Sequence, residues 1–292
     1  MKVLYIGNVW LSIRLLEILV KNKIEIVGVV TTRKSKFNTD YKDPTNLCKN
    51  NKIDIHYTKS VNSKNTVSWI KNKSPDYIFC FGWSQILNKE ILKIPKKHVI
   101  GFHPSQLPLF RGRHPIIWSI ILGLKKTAST FFIINENIDD GPIINQKMIK
   151  ITNNETSLNL YLKIIKKAEE QIKEIIISLR KDKLKIVKNK KVKKTFLRKR
   201  SFVDGQIDWR MRAVDIDRLV RGLSAPYPGA HIIFKNNLYK IWEVKIVKNN
   251  QFIEPGKVIS NKIDKPIVKC ADASIKIIKT EPKLVLKDND YL

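Results

Sequence analysis

At 292 residues the chain is long enough to bury a real core and to hold one large domain with a smaller one beside it in sequence, so two domains is the starting expectation. A hydrophobic fraction of 43% and an aromatic fraction of 9% exclude an intrinsically disordered chain. The formal net charge of +30 would attract phosphate in RNA, on a membrane surface or in a nucleotide, and its sign does not choose among them. Much of that charge is Lys in an Ile- and Asn-rich chain, so compositional bias accounts for it better than a dedicated nucleic-acid groove; only Lys181–Arg200 is dense enough to look local.

In chain order, KVLYIG reads as an apolar strand, SIRLLEILVKN repeats apolar residues at helical spacing, and IEIVGVVTT reads as a second strand: a β-α-β unit. Its turn, GNVWLS, holds one glycine, so the three-glycine dinucleotide fingerprint is absent and NAD binding is not supported. Arg14 and Glu17 interrupt the apolar start and no small-residue cleavage site follows, while Pro115 to Leu124 is too short to span a bilayer. The expectation is a cytoplasmic protein with no membrane partner. Strands are expected at Tyr77 to Cys80, Val99 to Phe102 and Thr130 to Ile134, with helices over Ser84 to Leu92 and Pro115 to Leu122, the latter capped by Gly123. This alternation predicts a mostly parallel, Rossmann-like α/β sheet covered by helices.

Thr156 to Leu179 keeps apolar residues at helical spacing and closes a first domain over 1–182; the lysine-rich 183–202 reads as a linker. From 203 to 292, after one helix around Ala213 to Leu223, the pieces HIIFKN, YKIWEV, GKVIS, PIVKC and SIKIIKT predict a small β-rich, barrel-like (OB-like) domain. Cys48, Cys80 and Cys270 form no C-x-x-C pair, and the five histidines show no H-E-x-x-H spacing, so burial of the thiols and no metal are expected.

The most informative stretch is Gly101 to Gln146, GFHPSQLPLFRGRHPIIWSIILGLKKTASTFFIINENIDDGPIINQ. His103 directly follows a strand and Asp139 lies in the loop after a later one, which would place both at carboxyl ends of parallel strands, where open α/β sheets build their sites. Acylation of an amine needs a base for the proton of the attacking nitrogen, a donor for the developing oxyanion and a carboxylate to orient the imidazole; a histidine and an aspartate supply most of that set. On pattern alone, structural or solvated roles for both residues stay open.

The stretch resembles the folate-dependent formyltransferase family, and the resemblance covers nearly the whole chain. His103, Ser105, Leu107, Pro108, Arg111, Gly112, Asp139 and Gly141 occupy the family's motif positions; Gly101 stands where the family carries asparagine. The resemblance implies His103 and Asp139 as the catalytic pair and N10-formyltetrahydrofolate as co-substrate. It implies a folate pocket walled by PDYIFCFGWSQILNKEIL, with Gly82, Trp83, Gln85 and Ile86 against the pterin. Asn8 and His114 are conceivable substitutes for the missing carboxamide.

RGRHP, the Ser-Thr-Phe-Phe strand and LRKRS look most like the nucleotide-sugar N-formyltransferases. Acceptor contacts are then expected from Asn8, Arg111, Arg113, His114, Arg198, Arg200, Arg210 and Tyr227, the arginines pairing with diphosphate oxygens. Plain pairing of those arginines with Asp204 or Asp208 is the alternative. The acceptor implied is a nucleotide-linked amino-dideoxy sugar, with UDP favoured and dTDP and GDP open, as in O-antigen or lipopolysaccharide biosynthesis. The basic loop TTRKSKFNTD keeps methionyl-tRNA as the runner-up acceptor, other nucleic-acid binding is not expected, and a homodimer is compatible with the reading. A third reading, a folate- or nucleic-acid-binding relative without turnover, conflicts with an intact His103 and Asp139.

Overall fold

The computed structural model describes residues 1–34, 39–189, 195–260 and 265–292. The elements are β1 (Lys2–Ile6), α1 (Trp10–Lys21), β2 (Glu25–Thr31), α2 (Thr45–Asn50), β3 (Ile55–Tyr57), α3 (Lys64–Asn72) and β4 (Tyr77–Cys80). They continue with α4 (Lys89–Leu92), β5 (His98–His103), β6 (Arg111–Gly112), α5 (Pro115–Ile121), β7 (Lys126–Ile133), β8 (Ile143–Lys150) and α6 (Ser157–Arg180). The rest are β9 (Phe196–Leu197), α7 (Ala213–Gly222), β10 (Ala230–Phe234), β11 (Asn237–Val247), β12 (Val258–Ser260), β13 (Ile267–Lys269) and β14 (Ser274–Glu281). Parts of the basic run Lys181–Arg200 and of the loop TTRKSKFNTD, namely 190–194 and 35–38, lie outside the described residues.

The chain divides into two compact units. The first comprises Met1–Pro115, Thr127–Ile149 and Leu162–Leu197; the second comprises Ile116–Lys126, Lys150–Tyr161 and Arg198–Leu292. The division is discontinuous in sequence, with two short segments ahead of residue 162 belonging to the second unit.

The first unit holds a seven-stranded sheet in the order β3-β2-β1-β4-β5-β7-β8. From β3 to β5 every pairing is parallel, and the strands read as unbroken apolar runs because helices cover such sheets on both faces. Between β5 and β7 the direction reverses, with Ile100 opposite Ile133 and His103 opposite Thr130. The placement of Asp139 at the end of a parallel strand is therefore corrected: β7 runs against β5, so its carboxyl end lies beside Ile100 rather than beside His103.

The helix expected over Ser84 to Leu92 shrinks to its last four residues, α4. Asn88 caps it by accepting from the Ile91 amide at 3.0 Å. The preceding segment is tied down by side chains instead: Arg113 donates to the Ser84 carbonyl, Asn62 donates to the Ile86 carbonyl, and Gln85 bridges the Val61 amide and the Lys59 carbonyl. Backbone groups satisfied in this way leave a helix nothing to add there.

At the first β-α turn, the Ser12 hydroxyl accepts from the Val9 amide at 3.2 Å and donates to the Phe81 carbonyl at 2.6 Å, joining the start of α1 to the end of β4. A Cβ on Gly7 would lie 2.6 Å from the Phe81 carbonyl oxygen and 2.7 Å from the Ser12 Cβ, so the lone glycine of GNVWLS serves this close approach. On α6, Gln171 is fully buried and donates to the Ser129 carbonyl and to the Asn145 side chain.

The second unit carries a five-stranded antiparallel sheet in the order β10-β11-β14-β13-β12, all five strands at the expected places. Its core gathers Trp209, Ile216, Leu219, Val220, Ile241, Val258, Cys270 and Ile275. Apolar residues recurring along α7 supply one stripe of this core. All three cysteines are buried and free, and burial pushes the Cys48 and Cys80 thiols up to about 12. Among the described residues no helix is long and apolar enough to cross a membrane.

Replacing Ser12 by alanine leaves a buried amide and a buried carbonyl without their partner. Ser12→Ala is expected to lower unfolding free energy by about 1–3 kcal/mol; a chemical denaturation midpoint matching that of the parent protein would refute the bridging role.

Candidate active site

His103 ends β5 with only 6% of its surface exposed, and its Nε2 lies 3.1 Å from the Phe110 carbonyl oxygen. The turn that delivers this carbonyl is held from inside. Ser105 Oγ donates to the Leu109 carbonyl, Thr130 Oγ1 donates to the Ser105 carbonyl at 2.7 Å, and Gln146 Nε2 donates to both the Leu107 carbonyl and Thr130 Oγ1 at 3.0 Å. The run H-P-S-x-L-P is thus a packed loop with its polar groups paired, and the imidazole it positions has a fixed partner.

Asp139 reaches the histidine from the loop after β7. Its backbone sits at φ 50, its Oδ2 accepts from the Gly112 amide at 3.0 Å, and the same oxygen lies 3.6 Å from His103 Nδ1. That last separation is an ion-pair distance, longer than a hydrogen bond. Next to it, Asp140 Oδ1 takes the Arg111 guanidinium at 2.8 Å. Gly112, at φ 99, brings its backbone close to β9, where a Cβ would lie 2.4 Å from the Leu197 carbonyl oxygen. The R-G pair is therefore explained twice, arginine as the clamp on Asp140 and glycine as the close approach that turns its amide to Asp139.

Two acceptors, the Phe110 carbonyl and the Asp139 carboxylate, face the two ring nitrogens of His103. A ring with one N–H can donate to only one of them, whereas a doubly protonated ring can donate towards both.

Gly101 lies two residues before the histidine in β5. A Cβ built there would meet Ile134 Cγ1 at 2.6 Å, Ile134 Cδ1 at 2.9 Å and Phe132 Cε1 at 3.0 Å. The isoleucine fills the space a side chain at 101 would need. Of the two conceivable substitutes, Asn8 is buried and donates through Nδ2 to Thr32 Oγ1 at 3.0 Å, and His114 sits in the left-handed region at φ 56.

In the segment expected to face folate, Gly82 adopts φ 62, and Trp83 packs partly buried against the first unit's core, its Nε1 buried with no hydrogen-bond partner among the described residues. Ile86 is exposed, and Gln85 is occupied by the backbone at Lys59 and Val61. Arg113 joins this segment to the motif by donating to the Ser84 carbonyl at 2.9 Å. The first unit therefore brings together His103, Asp139, Arg111 and Arg113 with the 82–86 segment, and Gln146, Thr130 and Asp140 are supports that the sequence did not mark. Each is an ordinary polar residue whose role depends on which strand it faces.

The expected acceptor residues of the second unit form their own groups. Arg198 and Arg200 both lie over the Trp118 ring, 5.4 and 5.1 Å from its centroid, and both engage Asp204. Hydrogen bonding from Arg198 holds the Asp204 carboxyl well below the usual carboxylate range. Arg210 forks onto Asp208 with Nε–Oδ1 at 2.9 Å and Nη2–Oδ2 at 2.6 Å. Tyr227 packs partly buried against the second unit's core. Trp118, beneath two guanidinium groups, is the residue here that helical periodicity hid, since it reads simply as an apolar position of α5.

Residues 1–176 match the formyl transferase domain, and residues 197–287 match the formyl transferase C-terminal domain. The chain belongs to the formyl transferase family. It is 29% identical over 300 residues to the methionyl-tRNA formyltransferase of Alkaliphilus oremlandii, covering 100% of this chain and 96% of the relative. It is 31% identical over 230 residues to the bifunctional polymyxin resistance protein ArnA of Wigglesworthia glossinidia brevipalpis, covering 79% of this chain and 35% of that longer protein.

Among solved structures, the sugar 3N-formyl transferase WlaRD, determined in the presence of dTDP and 5-N-formyl-THF, superimposes with a TM-score of 0.72 at 21% identity, covering 97% of this chain and 99% of that one. The N-formyltransferase of Helicobacter canadensis, in complex with folinic acid and dTDP-3-aminofucose, superimposes with a TM-score of 0.71 at 18% identity, covering 96% and 99%. At these identities the likeness establishes the fold.

A side chain at 101 must displace Ile134, so Gly101→Asn is expected to destabilise the protein by about 1–3 kcal/mol. Adding Ile134→Ala should recover part of the loss. Thermal melts of the single and double variants check this, and an unchanged melting temperature for Gly101→Asn would show that position 101 has room.

Proposed function

We propose that the protein moves the formyl group of N10-formyltetrahydrofolate to the amino group of a nucleotide-linked amino-dideoxy sugar. The observation that carries the transfer chemistry is the His103–Asp139 pair: a buried imidazole between a backbone carbonyl and a carboxylate, at the end of a sheet strand. His103 takes the proton released by the attacking amine, and Asp139 balances the imidazolium that results. Gly82 at φ 62 and the exposed Ile86 leave backbone and apolar surface in this segment that suit a flat heterocycle such as the pterin of a folate. With no carboxamide at position 101, His103 carries more of the stabilisation of the developing oxyanion.

The sugar acceptor is supported by RGRHP and LRKRS, and by folds shared over nearly the full chain with two sugar N-formyltransferases. Of the nucleotides, UDP is the reading from sequence, and the dTDP bound by those two relatives puts dTDP beside it. The stacked Arg198 and Arg200 are the cations we assign to the diphosphate, with Arg210 and Tyr227 as further acceptor contacts. We place the enzyme in the cytoplasm, in O-antigen or lipopolysaccharide sugar synthesis. Methionyl-tRNA is the second reading, favoured by the 29% identity that spans the whole chain.

Purified protein, N10-formyltetrahydrofolate and a panel of UDP- and dTDP-linked amino sugars are expected to give tetrahydrofolate and a formylated sugar, read by mass spectrometry. Formylation of methionyl-tRNA with none of the sugars would replace the first reading by the second. His103→Asn and Asp139→Asn are each expected to lower turnover at least about 100-fold with folding intact. Near-normal turnover in both variants would move the chemistry elsewhere.

A further inference from the structure

The second unit contains a cavity of about 890 Å³ that the transfer chemistry does not use. Its floor comes from β11 and β14, and its rim from the end of α7 and the segment before α6. On a regular strand consecutive side chains point to opposite faces. Here Trp242, Glu243 and Val244 line the same cavity, as do Lys279, Thr280 and Glu281 on the partner strand. The register departs from regular pairing on β11: Ile241 faces Thr280 and Glu243 faces Lys279, so Trp242 is an extra residue with no opposite number. Irregularities of this kind re-aim side chains and recur beside binding sites.

The indole is fixed at its edge, where Nε1 donates to Glu281 Oε2 at 2.9 Å; it rests on Gly229, where a Cβ would come within 3.1 Å of the ring, and the Lys240 ammonium lies over the ring 5.6 Å from its centroid, where a stacked ring would displace it. On the rim, Arg221 is held by Asp217 at 2.8 Å and by the Glu155 carbonyl at 2.7 Å, with both charged side chains largely buried. An aromatic platform thus sits among groups whose positions are set by their own hydrogen bonds.

The chemistry of the lining narrows the ligand. Three carboxylates, Asp217, Glu243 and Glu281, stand against two cations, Arg221 and Lys279, in a chain whose net charge is +30. This is the wrong balance for phosphate, which the rest of the protein would attract more strongly. Fixed charges also oppose a purely apolar ligand. Asn154, Thr156 and Ser224 add neutral groups that both donate and accept. Mixed donors and acceptors around an aromatic side chain match a ring that is polar at its edge and apolar on its face.

We propose that this cavity is a second binding site, for the ring of a saccharide, with Trp242 as the stacking platform and Glu243, Glu281 and Lys279 engaging ring hydroxyls. The cavity is of the size that holds small organic ligands. The proposal does not depend on the identity of the formyl acceptor, since it concerns a sugar ring without nucleotide.

The test uses the full-length protein on an array of nucleotide-free mono- and oligosaccharides, with inorganic phosphate and UDP as controls, followed by calorimetry on any saccharide retained. Binding of at least one saccharide is expected. Trp242→Ala should weaken it at least about tenfold, as loss of an aromatic anchor does. Trp242→Phe should keep most of the affinity, which separates loss of the platform from loss of the fold, and His103→Asn should leave binding unchanged. Retention of no saccharide, equal binding by Trp242→Ala, or loss of binding in His103→Asn would each overturn the proposal. Failure of sugar formylation with saccharide binding intact would count against the proposed function alone.

Discussion

The hydrogen bond from the Gly112 amide to Asp139 is the constraint on which the candidate active site depends. Because β7 runs against β5, the strand before Asp139 ends away from His103, and only the loop that follows can bring a carboxylate back to the imidazole. That loop is caught by two consecutive aspartates with separate partners, Asp139 on a backbone amide and Asp140 on the Arg111 guanidinium. The catching surface is itself held in place by the β6–β9 pairing and by the Phe110 amide, which donates to Thr195 Oγ1. The left-handed backbone at Asp139 is held by the bonds of its own carboxylate and of Asp140.

The glycine before the histidine is consistent with its surroundings. Ile134 and Phe132 occupy the volume a larger side chain would take, so the difference at 101 is shared with neighbouring apolar groups. The imidazole itself lies between a backbone carbonyl and a carboxylate. Buried polar groups this well partnered also make the surrounding turn rigid, which keeps the imidazole at a fixed position.

The basic composition distributes unevenly. In the second unit Arg198, Arg210, Arg212, Arg218 and Arg221 each pair with an aspartate close in sequence. The exposed ones, such as Arg210–Asp208, add little to stability. They do remove arginine from the excess, which leaves lysine to carry most of the net charge, in keeping with compositional bias. Against this background the three-carboxylate cavity beside Trp242 stands apart, because it reverses the local sign.

Periodicity alone carried the α/β sheet, the long helix over α6, the five strands of the second unit and their order along the chain, because burial of one face imposes its period directly on residue type. The motif residues His103, Arg111, Gly112 and Asp139 were legible through the resemblance to the formyltransferase family, since their residue types alone left structural or solvated roles open. Pairing direction was not legible, since an antiparallel β7 and a parallel one bury the same apolar residues. The helix expected over Ser84 to Leu92 keeps only α4, because Arg113 and Asn62 take the Ser84 and Ile86 carbonyls from distant positions. Gln146, Trp118 and Trp242 likewise carry no local signal, for their partners come from other segments of the chain. The sequence by itself determined most of the elements that form and named the candidate residues; the tertiary structure alone decided which of them meet, because hydrogen bonds and charge pairs across long separations depend on strand direction and register.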